Sequence, residues 1–456
     1  MSKFPQIERL DDDASRAHYG RDWTRFWTPT PEAVVFPRST EDVVELVRWA
    51  RANKQALVPS GGRTGLSGGA VAANGEVVVS LEKMRELVDF DPIEPSLTVQ
   101  AGMSVGDLQR QAVERELFYP VDWAAAASSQ VGGSIATNAG GIRVLRYGMT
   151  RQWVQGLTVV TGTGEVLQLN QGLVKNNTGP DLRHLMIGSE GALGIITEAI
   201  MGLTAPPAEQ SVLLLGLSNL DAIMPAFAVL RRELTLSAFE FFDQASVRHV
   251  AEASGQTFPL GNACPFYAVV EFDDPAQASQ EQALAVFEQL MAEELVVDGT
   301  ISQSGAQVSE LWHWREAISE SIAPRTPYKN DLSVRISRVP EFLRELQALV
   351  ERHYPDFEVV WFGHIGDGNL HMNVLRPQDW SVEDFHQAGR QLSPRVFELV
   401  QRHRGSVSAE HGVGLLKRGD LQWTRSAAEI ACLRQIKQTF DPDNILNPGK
   451  MLPTAT

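Results

Sequence analysis

Cysteine is almost missing from this chain of 456 residues: Cys264 and Cys432 are the only two. That excludes a disulfide framework or a thiolate metal cluster and suits a reducing compartment. Basic charge is in deficit as well, with 40 Lys+Arg against 56 Asp+Glu and a formal net charge of −16. That argues against non-specific binding to nucleic acid or to an anionic membrane, which needs basic surface, and an anionic substrate has to be held by a local cationic group. No apolar run approaches membrane-spanning length, and the first twenty residues are polar and acidic without the apolar core of a signal peptide. A soluble cytoplasmic protein is the expectation. The glycine-rich loop at 59–69 lacks the Gly-x-Gly-x-x-Gly spacing of a Rossmann site and the lysine-serine ending of a P-loop, which argues against NAD.

With 43% hydrophobic and 21% charged residues the chain is an ordinary globular protein, and its length predicts two or three domains. Residues 33–58 read as strand, helix, strand: Ala33–Phe36, a helix capped near Ser39 or Thr40 with Val43, Val44, Leu46, Val47 and Ala50 on its apolar face, then 56–58. Pro59-Ser60-Gly61-Gly62-Arg63-Thr64-Gly65 follows directly, and further glycine-dense stretches lie at 131–141 and 188–194. Short apolar runs at 77–81, 97–101 and 157–160 separate them. Ala205-Pro206-Pro207 reads as a linker. Beyond it come longer apolar strands and amphipathic helices, as at 211–217 and 222–232, in an α+β pattern, with a long helix near 427–439 towards the end.

The richest segment is Phe362-Gly363-His364-Ile365-Gly366-Asp367-Gly368-Asn369-Leu370-His371-Met372-Asn373. Asp367-Gly368 suits a type I′ hairpin, in which both central residues need positive φ. Folding about it pairs 364 with 371 and 362 with 373, so two imidazoles meet on one sheet face; on a single straight strand an odd separation would point them apart. Ser408-Ala409-Glu410-His411-Gly412-Val413-Gly414 offers a carboxylate and a third imidazole. Two histidines and one carboxylate leave a coordination position open for substrate. By spacing alone a polar cross-strand pair without metal is the favoured reading of His364 and His371; Glu410-His411 brings the two readings level, and spacing does not decide which of Glu410 and His411 is a ligand.

Glycine permits positive φ and close approach of backbone amides to phosphate. One such loop is weak evidence, whereas three in one domain suggest a large cofactor clasped by loops. These loops, with the hairpin, Glu410-His411 and the Asn447-Pro448-Gly449-Lys450 close, resemble the FAD-dependent D-2-hydroxyacid dehydrogenases of the vanillyl-alcohol oxidase flavoprotein superfamily, in order and over nearly the whole chain. The nearest group within it is the D-2-hydroxyglutarate dehydrogenases. The resemblance implies an α+β protein: an FAD-binding domain of two subdomains (1–205), a substrate or cap domain on a large antiparallel sheet (206–405), and a C-terminal segment (406–456) returning to the first. It implies FAD contacts at Pro59, Ser60, Gly61, Gly62, Arg63, Thr64 and Gly65 for the pyrophosphate. For the flavin it implies Pro120, Gly132, Gly133, Ser134, Thr137, Asn138, Gly140, Gly141, Gly191 and Ile196, with Asn447 from the C-terminal segment. His18 and His184, the only histidines before the linker, lie outside the glycine loops, so non-covalent FAD is expected.

A helix read from Gln307 to Ile322 carries Arg315 and Ser319 on one face, with Lys329 beyond Pro324 and Pro327. Alone these read as a solvated face. In the resembled group an arginine, a threonine and a lysine in this order hold the substrate carboxylates; here Ser319 replaces the threonine and the spacing to Lys329 is one residue shorter. The resemblance further implies a divalent metal, zinc or manganese, on His364, His371 and Glu410, His411 as general base, and Asn373 as a substrate contact. The expected reaction is oxidation of a D-2-hydroxyacid, D-2-hydroxyglutarate first, to the 2-oxoacid by hydride transfer to flavin N5. D-lactate or glycolate is the alternative substrate, and a non-catalytic flavin-binding subunit of an oxidase complex the alternative of another class. An electron-transfer flavoprotein or quinone-linked carrier is the expected acceptor, and a homodimer the expected assembly.

Overall fold

The computed structural model describes residues 3–24, 26–355 and 357–453. It divides into two compact units, one built from 1–140, 148–206 and 410–456, the other from 141–147 and 207–409. No helix among the described residues is long and apolar enough to cross a membrane.

The first unit holds two sheets. Ala33–Phe36, Val77–Ser80 and Leu57–Ser60 run parallel, with Glu8–Leu10 antiparallel at the edge. The parallel strands are buried on both faces, as their unbroken apolar runs require. The helix Thr40–Asn53 starts where Ser39 accepts from the Asp42 amide and buries Val43, Leu46, Val47 and Ala50. The second sheet is antiparallel, ordered Leu87–Asp91, Ser96–Gln100, Gly194–Gly202, Val154–Thr161, Val166–Leu169. The chain returns to this unit late: the Leu57 amide donates to Ile445 O at 2.7 Å, and Leu446 enters the core.

The second unit is built on a seven-stranded antiparallel sheet. Its order is Val296–Ile301, Gln210–Leu217, Phe266–Asp273, Leu236–Asp243, Val359–Gly363, Asn369–Val374, Tyr328–Ser333. Three sequence expectations are corrected here. The hairpin register is two residues away from the expected one, with Phe362 opposite His371 and Val360 opposite Asn373. The turn is wider than a two-residue I′ loop, because His364 O accepts both the Asp367 amide at 3.1 Å and the Asn369 amide at 3.2 Å. Gly368 takes φ +89° there and Asp367 keeps an ordinary φ. The helix expected over 307–322 is two pieces, Gly305–Glu316 and Ile318–Ser321, broken at Ala317. Arg315 is buried and Ser319 exposed.

Candidate functional site

In the first unit the glycine loops form a rim around buried polar atoms. Strand Leu57–Ser60 delivers Pro59 and Ser60 to the start of the first loop. At Gly62 a Cβ would lie 1.9 Å from Ser128 O, so only glycine fits. The Thr64 hydroxyl meets Ser129 Oγ at 2.8 Å. Arg63 stacks its guanidinium 4.6 Å from the Tyr19 ring centre, and burial lowers its pKa. The short helix Val131–Thr137 turns its Ser134 and Thr137 hydroxyls back onto its own carbonyls, Val131 O at 2.8 Å and Gly133 O at 3.0 Å. A Cβ on Gly133 would meet no described atom within 4 Å, so that face is open. Asn138 ends the helix in the left-handed region at φ +51°. Gly191, at φ +71°, closes on Pro59, whereas Ile196 is a buried core residue of its strand. Pro120 is buried, Gly140 ends the first stretch of this unit, and Gly141 opens the 141–147 piece of the other.

Ser60 Oγ, Gln130 Oε1 and Asn447 Oδ1 are buried with no hydrogen-bond partner among the described residues. Polar atoms in that state cost about 1–3 kcal/mol each unless a ligand or water meets them. With the glycine backbone beside them they fit a polar, phosphate-bearing cofactor. Asn447 also binds the rim together, donating to Gly69 O at 3.0 Å and Glu190 O at 2.7 Å.

Two further residues of this unit lie inside sequence motifs that assign them no role. Glu190 accepts the Val413 and Gly414 amides at 2.7 and 2.8 Å, and burial raises its pKa. It thereby anchors the stretch that begins with Glu410 and His411. Lys450 donates to Gly69 O and Val71 O, and burial brings its pKa down to about 7.

In the second unit the histidines lie on one sheet face. The register differs from expectation by two residues, an even number, so the face is preserved. His364, two positions beyond Phe362, is a diagonal neighbour of His371, and the ring centres are 5.4 Å apart. His364 is 8% exposed, and its Nδ1 lies 2.9 Å from Glu240 Oε1. His371 faces Asp331 across the strand pair, with Nδ1 3.8 Å from Oδ1. Asn373 is buried and pairs with Lys329 in register, on the same face as His371 and Asp331. Lys329 reaches solvent, yet the protein around it lowers its pKa by desolvation. Arg315 lies with its guanidinium 4.8 Å from the Phe362 ring centre and Nη2 2.8 Å from Glu240 Oε2.

The Ala409 amide donates to Asp331 O at 3.3 Å, and Ser406 bridges to Ser333. Glu410 is the next residue after Ala409, and His411 the one after that. The covalent chain therefore leaves the strand that faces His371 immediately before the carboxylate. Glu240 and Asp331 had no signature in the sequence. Only the strand order shows that they border the histidines.

Comparison with known proteins agrees with both halves of this description. Residues 206–451 match the family model of the C-terminal domain of FAD linked oxidases, and 31–170 match an FAD binding domain. The chain is 54% identical over 450 residues to a D-2-hydroxyglutarate dehydrogenase of Xanthomonas citri pv. viticola, covering 99% of this chain and 95% of that one. It is 50% identical to a D-2-hydroxyglutarate dehydrogenase of Stutzerimonas stutzeri, with 97% and 95% covered. Among solved structures, 4-ethylphenol oxidase from Gulosibacter chungangensis superposes with a TM-score of 0.73 over 98% of this chain and 94% of that one, at 18% identity, a likeness of fold.

Proposed function

The chain belongs to the FAD linked oxidases and is an FAD-linked hydroxyacid dehydrogenase, and from that premise we propose that it oxidises D-2-hydroxyglutarate to 2-oxoglutarate. When bound, FAD would accept the C2 hydride at N5, and a divalent cation, zinc or manganese, would lower the pKa of the C2 hydroxyl.

The cation would be held by His364, His371 and Glu410, which offer two nitrogens and one oxygen. His411 takes the hydroxyl proton on an imidazole nitrogen. Lys329 and Asn373 bind the far carboxylate, while Arg315, over Phe362 on the same sheet face, is paired with Glu240. Ser319 is left as a contact at the exposed end of its helix, the weakest of the group. The flavin would lie against the glycine rim, with Ser60, Gln130 and Asn447 meeting its polar groups.

The observation that carries the diacid reading is the Lys329–Asn373 pair beside the histidines. Asn373 is two residues from His371 on one strand, hence about 7 Å along it. That spacing suits a substrate chelated at C1 and C2 with a second carboxylate at the other end. A carboxylate arriving at Lys329 also restores the stabilisation that desolvation has taken from its ammonium.

The test is anaerobic flavin reduction by D-2-hydroxyglutarate, D-malate and D-lactate, with and without a chelator. D-2-hydroxyglutarate should bleach the flavin fastest, chelation should abolish bleaching, and His411→Ala should slow it at unchanged flavin content. Lys329→Met should raise KM for the diacid roughly 10–100-fold, the loss of one charge-assisted contact, with little change for D-lactate. Faster bleaching by D-lactate than by the diacid would overturn the substrate assignment.

A further inference from the structure

Glu240 belongs to no motif, yet its position is specific. Strand Leu236–Asp243 pairs with Val359–Gly363 through Phe242 opposite Phe362 and Phe241 opposite Gly363. Continuing that register by one residue sets Glu240 opposite His364. The carboxylate is 1% exposed. His364 Nδ1 lies 2.9 Å from Oε1 and 2.8 Å from Oε2, and Arg315 Nη2 lies 2.8 Å from Oε2. The contacts to Oε2 are ion-pair contacts outside hydrogen-bond angles, so the hydrogen bond to His364 runs through Oε1.

A buried carboxylate without a cation is strongly unfavourable, and Arg315 supplies that cation. The fork of Arg315 itself lies over Phe362, the residue that faces His371. Arg315, Glu240 and His364 therefore form a fixed series ending at an imidazole whose Nδ1 is engaged. An imidazole that donates from Nδ1 keeps its lone pair on Nε2, the form a metal requires.

We infer that Glu240 is a positioning residue of the metal site. By accepting the Nδ1 proton of His364 it fixes the tautomer and ring angle that present Nε2 to a divalent cation, while Arg315 compensates its charge. Carboxylates in this relation to a ligating histidine typically change metal affinity 10–100-fold. The inference rests on the reading that His364 ligates a cation, and the experiment separates the two.

Zinc affinity is measured by chelator competition on the full-length flavin-loaded protein, with flavin content and Tm recorded alongside. Glu240→Ala should bind zinc roughly 10–100-fold more weakly, and Glu240→Gln, which keeps an acceptor but loses the charge, should fall between Ala and wild type. That graded rescue is not expected of a residue that only fills space. Removing the carboxylate leaves the Arg315 charge buried, so the double variant Glu240→Leu, Arg315→Met, which removes both charges, serves if Glu240→Ala does not fold, and it should show the same loss. Wild-type zinc affinity in these variants, with affinity lost in His364→Ala, would overturn the role of Glu240. Unchanged affinity in His364→Ala would overturn the metal reading itself and the inference with it.

Discussion

Lys450 shows how much one side chain can carry in this protein. It is an amine enclosed by protein, tied to Gly69 O and Val71 O. Desolvation is the largest influence on it, opposed by the nearby carboxylates of Glu76, Asp22 and Glu190, and the result is a pKa of about 7 against the 10.5 of an ordinary lysine. The folded state therefore binds this proton more weakly than the unfolded chain does. Between the two pKa values the unfolded state holds more protons, so stability rises with pH through that window, and the penalty of charging the buried amine is fully present below about pH 7. Wild type should gain on the order of 2 kcal/mol relative to Lys450→Met between pH 7 and 9. Paired thermal melts at the two pH values measure this, and parallel pH dependence in both proteins would refute it. The sequence marks Lys450 only as the last letter of Asn447-Pro448-Gly449-Lys450; its enclosure arises from contacts across nearly 380 residues, |i−j| being 379 for the bond to Val71.

Secondary structure was the most readable layer. The helix over Thr40–Asn53 announces itself through its Ser39 cap and apolar periodicity, and Ala427–Phe440 through its amphipathic pattern. The hairpin was readable in its existence but not in its register, because Asp-Gly specifies a turn without counting the residues around it. Here a wider loop forms from Ile365 to Gly368, and the strands slide by two. An even slide leaves the buried face unchanged, which is why the histidines still converge although their expected pairing was wrong. Glu240 was beyond reach for a related reason: a strand 124 residues away faces His364, and nothing local encodes that pairing. The loop after Glu410 is fixed in the same non-local way by Glu190, whose two oxygens take two consecutive amides. Replacing Glu190 with Ala should cost about 3 kcal/mol, the loss of two hydrogen bonds to a buried carboxylate, and so lower Tm by roughly 3–6 °C. It should also slow flavin reduction at saturating substrate. A Tm within a degree of wild type would show that the loop holds its shape without that carboxylate.

For the molecule as a whole, the division into two bodies is less simple than a linker at 205–207 suggests. The first body is assembled from three separated stretches of chain, and a seven-residue excursion at 141–147 belongs to the second. Composition changes flag the first break but cannot flag the excursion, which is too short to alter any average. The last stretch contributes Leu446 to the core and Asn447 and Lys450 to the glycine rim. Ending the chain after Pro442 should therefore leave a protein with little flavin, its flavin-to-protein absorbance ratio falling at least tenfold, since several kcal/mol of rim contacts vanish together. Retention of flavin in that shortened protein would show the rim to be self-supporting.

This discontinuity constrains the timing of manufacture. A ribosome that has released residues 1–206 has not yet provided the stretch that completes the first body, and it must first thread nearly all of the second. A nascent chain stalled anywhere in the second body therefore presents a first body still without its closing stretch, 410–456.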